Sequence, residues 1–166
     1  MKLVHHTDPI LHNPVPDFDF ENPPIDPLQL SRDLCNFMIE RNALGLSANQ
    51  VGLPYRVFVI NNEKPIVCFN PKIVSLGETM VDLDEGCLSF PELYVKHSRP
   101  NQIRARFTGP SGITQTETFI GITARVFQHE LDHLNGKTFL DDFSSLKKSM
   151  YLNKMKKAQQ RRGLPR

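Results

Sequence analysis

No stretch of this 166-residue chain approaches the roughly 20 consecutive apolar residues that a membrane-crossing helix requires. The N-terminal segment, which carries His5, His6 and Pro9, has neither the apolar core of a secretory signal nor the Arg-rich composition of a transit peptide, so the expected location is the cytoplasm. Cysteine is scarce. Cys35, Cys68 and Cys87 show no paired or Cys-x-x-Cys spacing, which excludes a disulfide framework and fits a reducing compartment. Internal repeats and low-complexity tracts are also missing. With 39% apolar residues the chain is long enough for one core and too short for two, so a single domain over residues 1–166 is expected.

What is present is concentrated in a few places. The sequence His129-Glu130-Leu131-Asp132-His133 puts two imidazoles four residues apart, on one face if the segment is helical, where they can share a divalent metal. The intervening Glu130 then lies close enough to handle a proton from metal-bound water. Gly121-Ile122-Thr123 offers a helix start and Asn135-Gly136 a stop. At about 100° per residue, Val126, His129, Glu130 and His133 fall on one arc, and Ala124, Phe127, Leu131 and Leu134 on another. One arc suits a metal and the other a core. The competing reading is a buried helix whose histidines satisfy backbone carbonyls.

A catalytic tetrahedral site needs a third protein ligand and an open position. Cys87, between Gly86 and the run ending at Pro91, has a loop-edge setting that suits this role, whereas Cys35 and Cys68 read as inert apolar residues in a helix and a strand. Thiolate with two imidazoles is compatible with iron as well as zinc. A further patch, residues 44–54, is rich in small residues that let a ligand backbone come close, and Gln50 within it can donate to an oxygen acquiring charge. The same patch can equally be tight packing.

Taken together and in this order, the motifs Gly45 to Gln50, Glu85-Gly86-Cys87-Leu88-Ser89, and Gln128 to Gly136 resemble those of the peptide deformylases, from His6-Thr7-Asp8-Pro9 to beyond Asp142. The last two match the family pattern at every fixed position. Ala43 and Ser47 depart from the residues common in the first motif, and Asn49 occupies a variable slot. The resemblance implies one divalent metal per chain, natively Fe2+ with Zn2+ or Ni2+ in isolated protein, held by Cys87, His129 and His133. It implies Glu130 as general base and then acid, with Gln50 and the backbone N–H of Leu88 as oxyanion donors. Leu44, Gly45 and Gly86 would line an extended peptide, with Arg99 as a further contact. Leu44, Ile122, Val126 and the His129 ring would surround a methionine side chain. The implied reaction is hydrolysis of the N-formyl group of formyl-methionyl nascent chains, releasing formate.

The patterning predicts an α+β fold in which antiparallel or mixed sheets pack around the helix carrying the His-Glu motif. A first helix starts at the Asp26 cap and Pro27 and runs to about Asn42. Strands are expected at 56–60, 66–69 and 73–76, then a hairpin from Ile103 to Phe119 across Gly109-Pro110-Ser111-Gly112, while the Pro-rich residues 13–27 read as an ordered connection. Net charge of +2 hides an asymmetry: residues 144–166 hold eight basic residues and no acid, leaving 12 basic against 18 acidic elsewhere. Tyr151, Met155 and Ala158 recur at helical spacing, which predicts a basic C-terminal helix at about 144–162, docked by one face. Such a helix can be a solvated face, or it can contact the ribosome, as the resemblance implies; no sequence-specific nucleic-acid binding is expected. A zincin endopeptidase would take a third His or Glu downstream, and the 33 residues after His133 supply neither. A nucleic-acid-binding module would leave the three motifs without a role.

Overall fold

The computed structural model describes residues 1–162. Helix α1, Pro27–Glu40, begins as its sequence dictates: the Asp26 side chain accepts the Leu28 N–H at 2.9 Å, and Pro27 occupies the first turn, where a missing N–H costs nothing. Leu30, Leu34, Phe37 and Met38 form its buried face. Strand β1, Gly45–Ser47, runs into a 3-10 turn over Ala48–Val51 and is followed by β2, Val57–Ile60. Strand β3, Ile66–Leu76, is continuous where the sequence suggested two pieces. The interruption is absorbed by register shifts between Phe69 and Lys72 and between Ile73 and Ser75. After β4, Met80–Cys87, and β5, Phe90–Pro100, come β6, Gln102–Thr108, and β7, Thr114–Ile120, which form the expected hairpin. Helix α2 spans Gly121–Leu134 and α3 Ser145–Arg162.

All strand pairings among the described residues are antiparallel. Five strands form one sheet in the order β1-β2-β3-β6-β7, and β4 and β5 form a separate two-stranded ribbon. Strand β2 shows how the layers form, because all four of its residues are buried and alternate in direction. Phe58 and Ile60 join Ala124, Phe127, Leu131 and Leu134 of α2, while Val57 and Val59 join Leu30, Leu34, Phe37 and Met38 of α1. The sheet is thus covered by a helix on each face. On the ribbon, Phe90, Leu93 and Val95 pack against Phe139, Leu140 and Met155, which seats α3.

The Pro-rich connection is tied down as predicted. Val15 N–H donates to Leu134 O at 2.9 Å, Phe18 exchanges hydrogen bonds with the Asn70 amide at 2.7 and 2.9 Å, and Phe18 is buried. This segment crosses the C-terminus of α2 where Gly136 sits at φ 72; a Cβ there would lie 2.7 to 2.9 Å from the backbone of Asn13. The Asn135-Gly136 helix stop is therefore also a packing requirement. Cys68 is fully buried, whereas Cys35 is only partly so. No helix among the described residues is long and apolar enough to cross a membrane. Arg166, one of the eight basic residues at the C-terminal end, lies outside the described residues.

Candidate active site

Helix α2 is buried along most of its length, so the polar residues on its inner arc are held away from water by the same packing that forms the core. His129 and His133 stand one turn apart with ring centroids 5.0 Å from each other. Cys87 ends β4, beside the Leu88-Ser89 turn, and its Sγ lies 3.2 Å from His133 Nε2. The ligand atoms of Cys87, His129 and His133 all lie within 4.8 Å of one another. One thiol and two imidazoles from two different elements converge here, and this donor set fits a single divalent ion with an open coordination position.

The residues behind the ligands prepare them for that role. Glu85, two residues before Cys87, is almost fully buried and accepts the His129 Nδ1–H at 3.0 Å. The tautomer assigned from this bond leaves Nε2 free for a metal. Glu85 also accepts Arg99 Nε at 2.6 Å and Nη2 at 3.0 Å, and Arg125 Nη1 at 2.7 Å. Burial works against its charge, but the hydrogen bonds from His129 and Arg99 and the Arg99 charge hold its carboxyl well below the usual range. For His129 burial disfavours the proton, yet hydrogen bonds to Cys87 and Glu85 and nearby negative charge raise its pKa well above the ordinary imidazole value. Ion binding at such a site is coupled to loss of that proton. His133 is pushed the other way by burial and then by the charges of His129 and Arg99, and so is held neutral. Its backbone oxygen accepts from Asn49 Nδ2 at 2.7 Å, so the residue in the variable slot packs directly behind a ligand.

Glu130 is buried beside the ligands, and its Oε2 has no hydrogen-bond partner among the described residues. Burial raises its pKa to about 7, a value suited to taking up and returning a proton near neutrality. Gln50 is aimed by Ser47. The Ser47 N–H and Oγ both donate to Gln50 Oε1, at 3.0 and 3.1 Å, which turns the Nε2 amide toward Cys87 Sγ at 3.3 Å and Ser89 Oγ at 3.2 Å. Ser47, a departure from the common motif, thus orients the amide toward the centre. Gly45 faces Glu130: a Cβ at 45 would lie 2.6 Å from both Glu130 Oε1 and Val126 Cγ1.

A pocket of about 480 Å³ opens over this centre. Its wall includes Leu44, Gly45 and Gln50 from one side, Gly86, Cys87 and Leu88 from another, and Ile122, Val126, His129 and Glu130 from α2. Arg99 is a correction to the reading that made it a peptide contact. It is buried outside the pocket wall, clamped between Glu85 and Asp132, whose Oδ2 is 2.8 Å from Arg99 Nη1. With its donors directed at two carboxylates, it supports the ligands from behind. The sequence assigns no role to Arg125 or to Tyr94, a pocket-wall residue, and shows neither the buried ion cluster at Glu85 nor the orienting bond of Ser47. The available signals were the place of Glu85 inside the Glu-Gly-Cys motif and an Arg four residues before His129 on a buried helix face.

Buried carboxylate, thiol and paired imidazoles on an α+β scaffold define the class, an enzyme site of hydrolytic type able to hold one metal ion. The polypeptide deformylase family model matches residues 1–149. The peptide deformylase of Agrobacterium fabrum is 36% identical over 137 residues, covering 79% of this chain and 81% of that protein. That of Rhizobium meliloti is 34% identical over 170 aligned positions, covering 97% and 95%. Among solved structures, peptide deformylase 1B of Arabidopsis thaliana superposes with a TM-score of 0.85 at 32% identity over 99% of this chain and 96% of that one. Peptide deformylase from Ehrlichia chaffeensis superposes with a TM-score of 0.86 at 30% identity, over 99% of both chains. The chain belongs to the polypeptide deformylase family and is an enzyme.

Proposed function

We propose that the enzyme hydrolyses the N-formyl amide of formyl-methionine at the start of newly made polypeptides, releasing formate and a free amine. The observation that carries this reading is a carboxylate, Glu130, buried beside three convergent ligand atoms at the floor of a pocket that Gly45 keeps open by lacking a side chain. Cys87, His129 and His133 would hold a divalent ion, which would supply Lewis acidity and lower the pKa of water at the site toward neutrality. Ferrous iron is the ion expected from the resemblance, with zinc or nickel in isolated protein, and the donor set accommodates all three.

The chain's own residues divide the remaining work. Glu130 removes one proton from the attacking water and delivers it to the amide nitrogen as the C–N bond breaks, so it leaves the cycle in its starting state. The Gln50 amide, fixed by Ser47, donates to the carbonyl oxygen as it gains charge, and the Leu88 N–H is assigned as the second donor. Backbone groups of Leu44, Gly45 and Gly86 run beside an extended peptide, while Leu44, Ile122, Val126 and the His129 ring enclose the methionine side chain. The absence of a side chain at Gly45 lets the peptide backbone approach Glu130.

The natural substrates are formyl-methionyl nascent chains, and the reaction takes place in the cytoplasm. Lys154, Lys156, Lys157 and Arg161 are exposed on α3, whose Met155 is buried, so the helix docks by one face and presents the other as a cationic surface to the ribosome. The deciding test is formate release from a panel of formyl-Met, acetyl-Met and unformylated peptides, with and without chelator. Fast release from formyl-Met peptides alone, lost on chelation and restored by a divalent ion, is the expected result. Comparable rates for formyl and acetyl groups, or cleavage inside an unformylated chain, would refute the assignment.

A further inference from the structure

The two imidazoles of the centre are held by different means. His129 has a carboxylate acceptor for its Nδ1–H in Glu85, at 3.0 Å, whereas His133 Nδ1 is buried and meets no protein acceptor among the described residues. His133 also stands in the last turn of α2, where the final four carbonyls have no partner further along the helix and the backbone frays first. The restraint on its ring comes largely through the main chain.

Asn49 supplies that restraint. It is fully buried in the 3-10 turn Ala48–Val51, and its Nδ2 donates to the His133 carbonyl at 2.7 Å, a shorter bond than the 3.1 Å one from the Gly136 N–H. The same Nδ2 donates to Ile10 O at 3.3 Å, in the 3-10 turn Pro9–Leu11 that is anchored by the fully buried Leu11. Both amide hydrogens are thus committed to carbonyls. This fixes the orientation of the side chain, because the amide turned over would set its oxygen against two acceptors. The next residue, Gln50, is tied to the same N-terminal segment, its carbonyl accepting the Val4 N–H at 2.9 Å. One buried turn therefore joins a ligand residue, the Gln50 amide and the N-terminal segment.

We propose that Asn49 is a positioning residue for the metal: by holding the His133 carbonyl it fixes the last turn of α2 and slows release of the ion. This rests on the reading of Cys87, His129 and His133 as metal ligands. An apolar side chain of similar size at position 49 would deprive two buried carbonyls of a donor, and the turn that carries His133 would shift toward other partners. Arg56 provides the contrast. Its guanidinium donates to the next carbonyl, Leu134 O, at 3.0 Å and to Asn135 Oδ1 at 2.8 Å, so it stabilises the end of the helix without bonding to a ligand residue.

The test uses the full-length protein loaded with Zn2+ or Co2+. The readouts are the rate of ion transfer to excess chelator and the visible absorption of the Co2+ form, which reports the geometry of its donors. Urea unfolding of the metal-free proteins shows that each variant is folded and how much stability it has lost. Asn49→Leu, which nearly keeps the volume, and Asn49→Ala should both release the ion about tenfold faster and alter the Co2+ spectrum, while Arg56→Gln should lose stability and release the ion at the wild-type rate. Wild-type release from Asn49→Leu would show that only packing matters at this position and would overturn the proposal. Equally fast release from Arg56→Gln would overturn it too, by tracing the effect to the stability of the helix end. Failure of the wild-type protein to take up one ion per chain would instead refute the reading of the site, and the proposal with it.

Discussion

Replacing Glu85 by Gln tests whether the ion cluster behind His129 acts as one unit. The side chain is 4% exposed and meets two guanidinium groups, Arg99 at 7% and Arg125 at 6%, with Asp132 on the far side of Arg99. The His129 ring stands against the same carboxylate, so Glu85 is the group that all three basic side chains share. Removing the charge of Glu85 leaves a buried excess cation and turns an amide N–H toward donors, and breaking a buried pair in this way costs about 3–5 kcal/mol. Against a typical domain stability of roughly 5–15 kcal/mol, that loss is large. Because the Glu85 pKa is depressed in the fold, its stabilisation is complete above the unfolded carboxyl pKa and is lost as pH falls toward the folded value. Urea denaturation of metal-free protein, wild type and Glu85→Gln, should therefore show the full difference at pH 7. Between pH 4.5 and pH 3 the difference should shrink by roughly 1.5 kcal/mol, the slope rising toward about 1.4 kcal/mol per pH unit as the unfolded carboxyl becomes fully protonated. Carboxylates common to both proteins cancel in the comparison. The variant should also bind metal about 10- to 100-fold more weakly, since His129 loses the partner of its Nδ1–H. A difference below about 1 kcal/mol at pH 7, or one that does not change down to pH 3, would refute the account.

Glu130→Gln should keep fold and metal content while formate release falls roughly 10²–10⁴-fold. Its raised pKa implies a charge penalty that is absent below the unfolded carboxyl pKa and complete above about 7. Thermal melts in chelator should accordingly find the variant equal to wild type at pH 4.5 and more stable at pH 8, by up to about 3 kcal/mol. Cys87→Ala should abolish stoichiometric metal binding, read by metal analysis, whereas Cys68→Ala, at a fully buried strand position, should cost on the order of 1 kcal/mol and leave metal in place. Gly45→Ala puts a methyl within 2.6 Å of Glu130 Oε1; steady-state formate release should fall on the order of 10²-fold with metal occupancy unchanged. Reversing Lys154 and Lys157 to Glu should weaken co-sedimentation with ribosomes and flatten its salt dependence by roughly 0.9 for each phosphate left without its lysine, without slowing turnover of a short formyl peptide.

The legible parts of this molecule are those whose physics is local. Helix α2 announces itself because its apolar residues recur at 3.6-residue spacing, and the same periodicity places His129, Glu130 and His133 on one arc before any fold is known. Asp26 with Pro27, and Asn135 with Gly136, are end signals that act within a single turn. The hairpin of β6 and β7 is written in alternation around a Gly-Pro-Ser-Gly turn. Cys87 is recognisable as a ligand by its company, although nothing local shows that it would stand 3.2 Å from a residue 46 positions away.

The ribbon of β4 and β5 is obscured for a reason that concerns function. Strand β5 alternates between buried and open from Leu93 to Arg99, but its inward positions there run from Leu93 and Val95 to His97 and Arg99, so the apolar pattern fades midway through the strand. A charged side chain at an inward strand position argues against a strand when the interior is assumed to be oil. Here the interior at that point is an ion cluster, assembled from residues 85 and 99 of the ribbon and 125, 129 and 132 of α2, and no spacing rule connects the ribbon pair with the helix. Arg99 reads as a surface group available to a peptide only while its partners are unknown. Once β4 and β5 pair, Val81 faces Arg99 and Glu85 faces Val95, the antiparallel register bringing the two charges to one side of the ribbon beneath α2. The residue that breaks the strand pattern is thus one of those that, through Glu85, hold His129 in place, and burying its charge is tolerable because Glu85 and Asp132 are there to meet it.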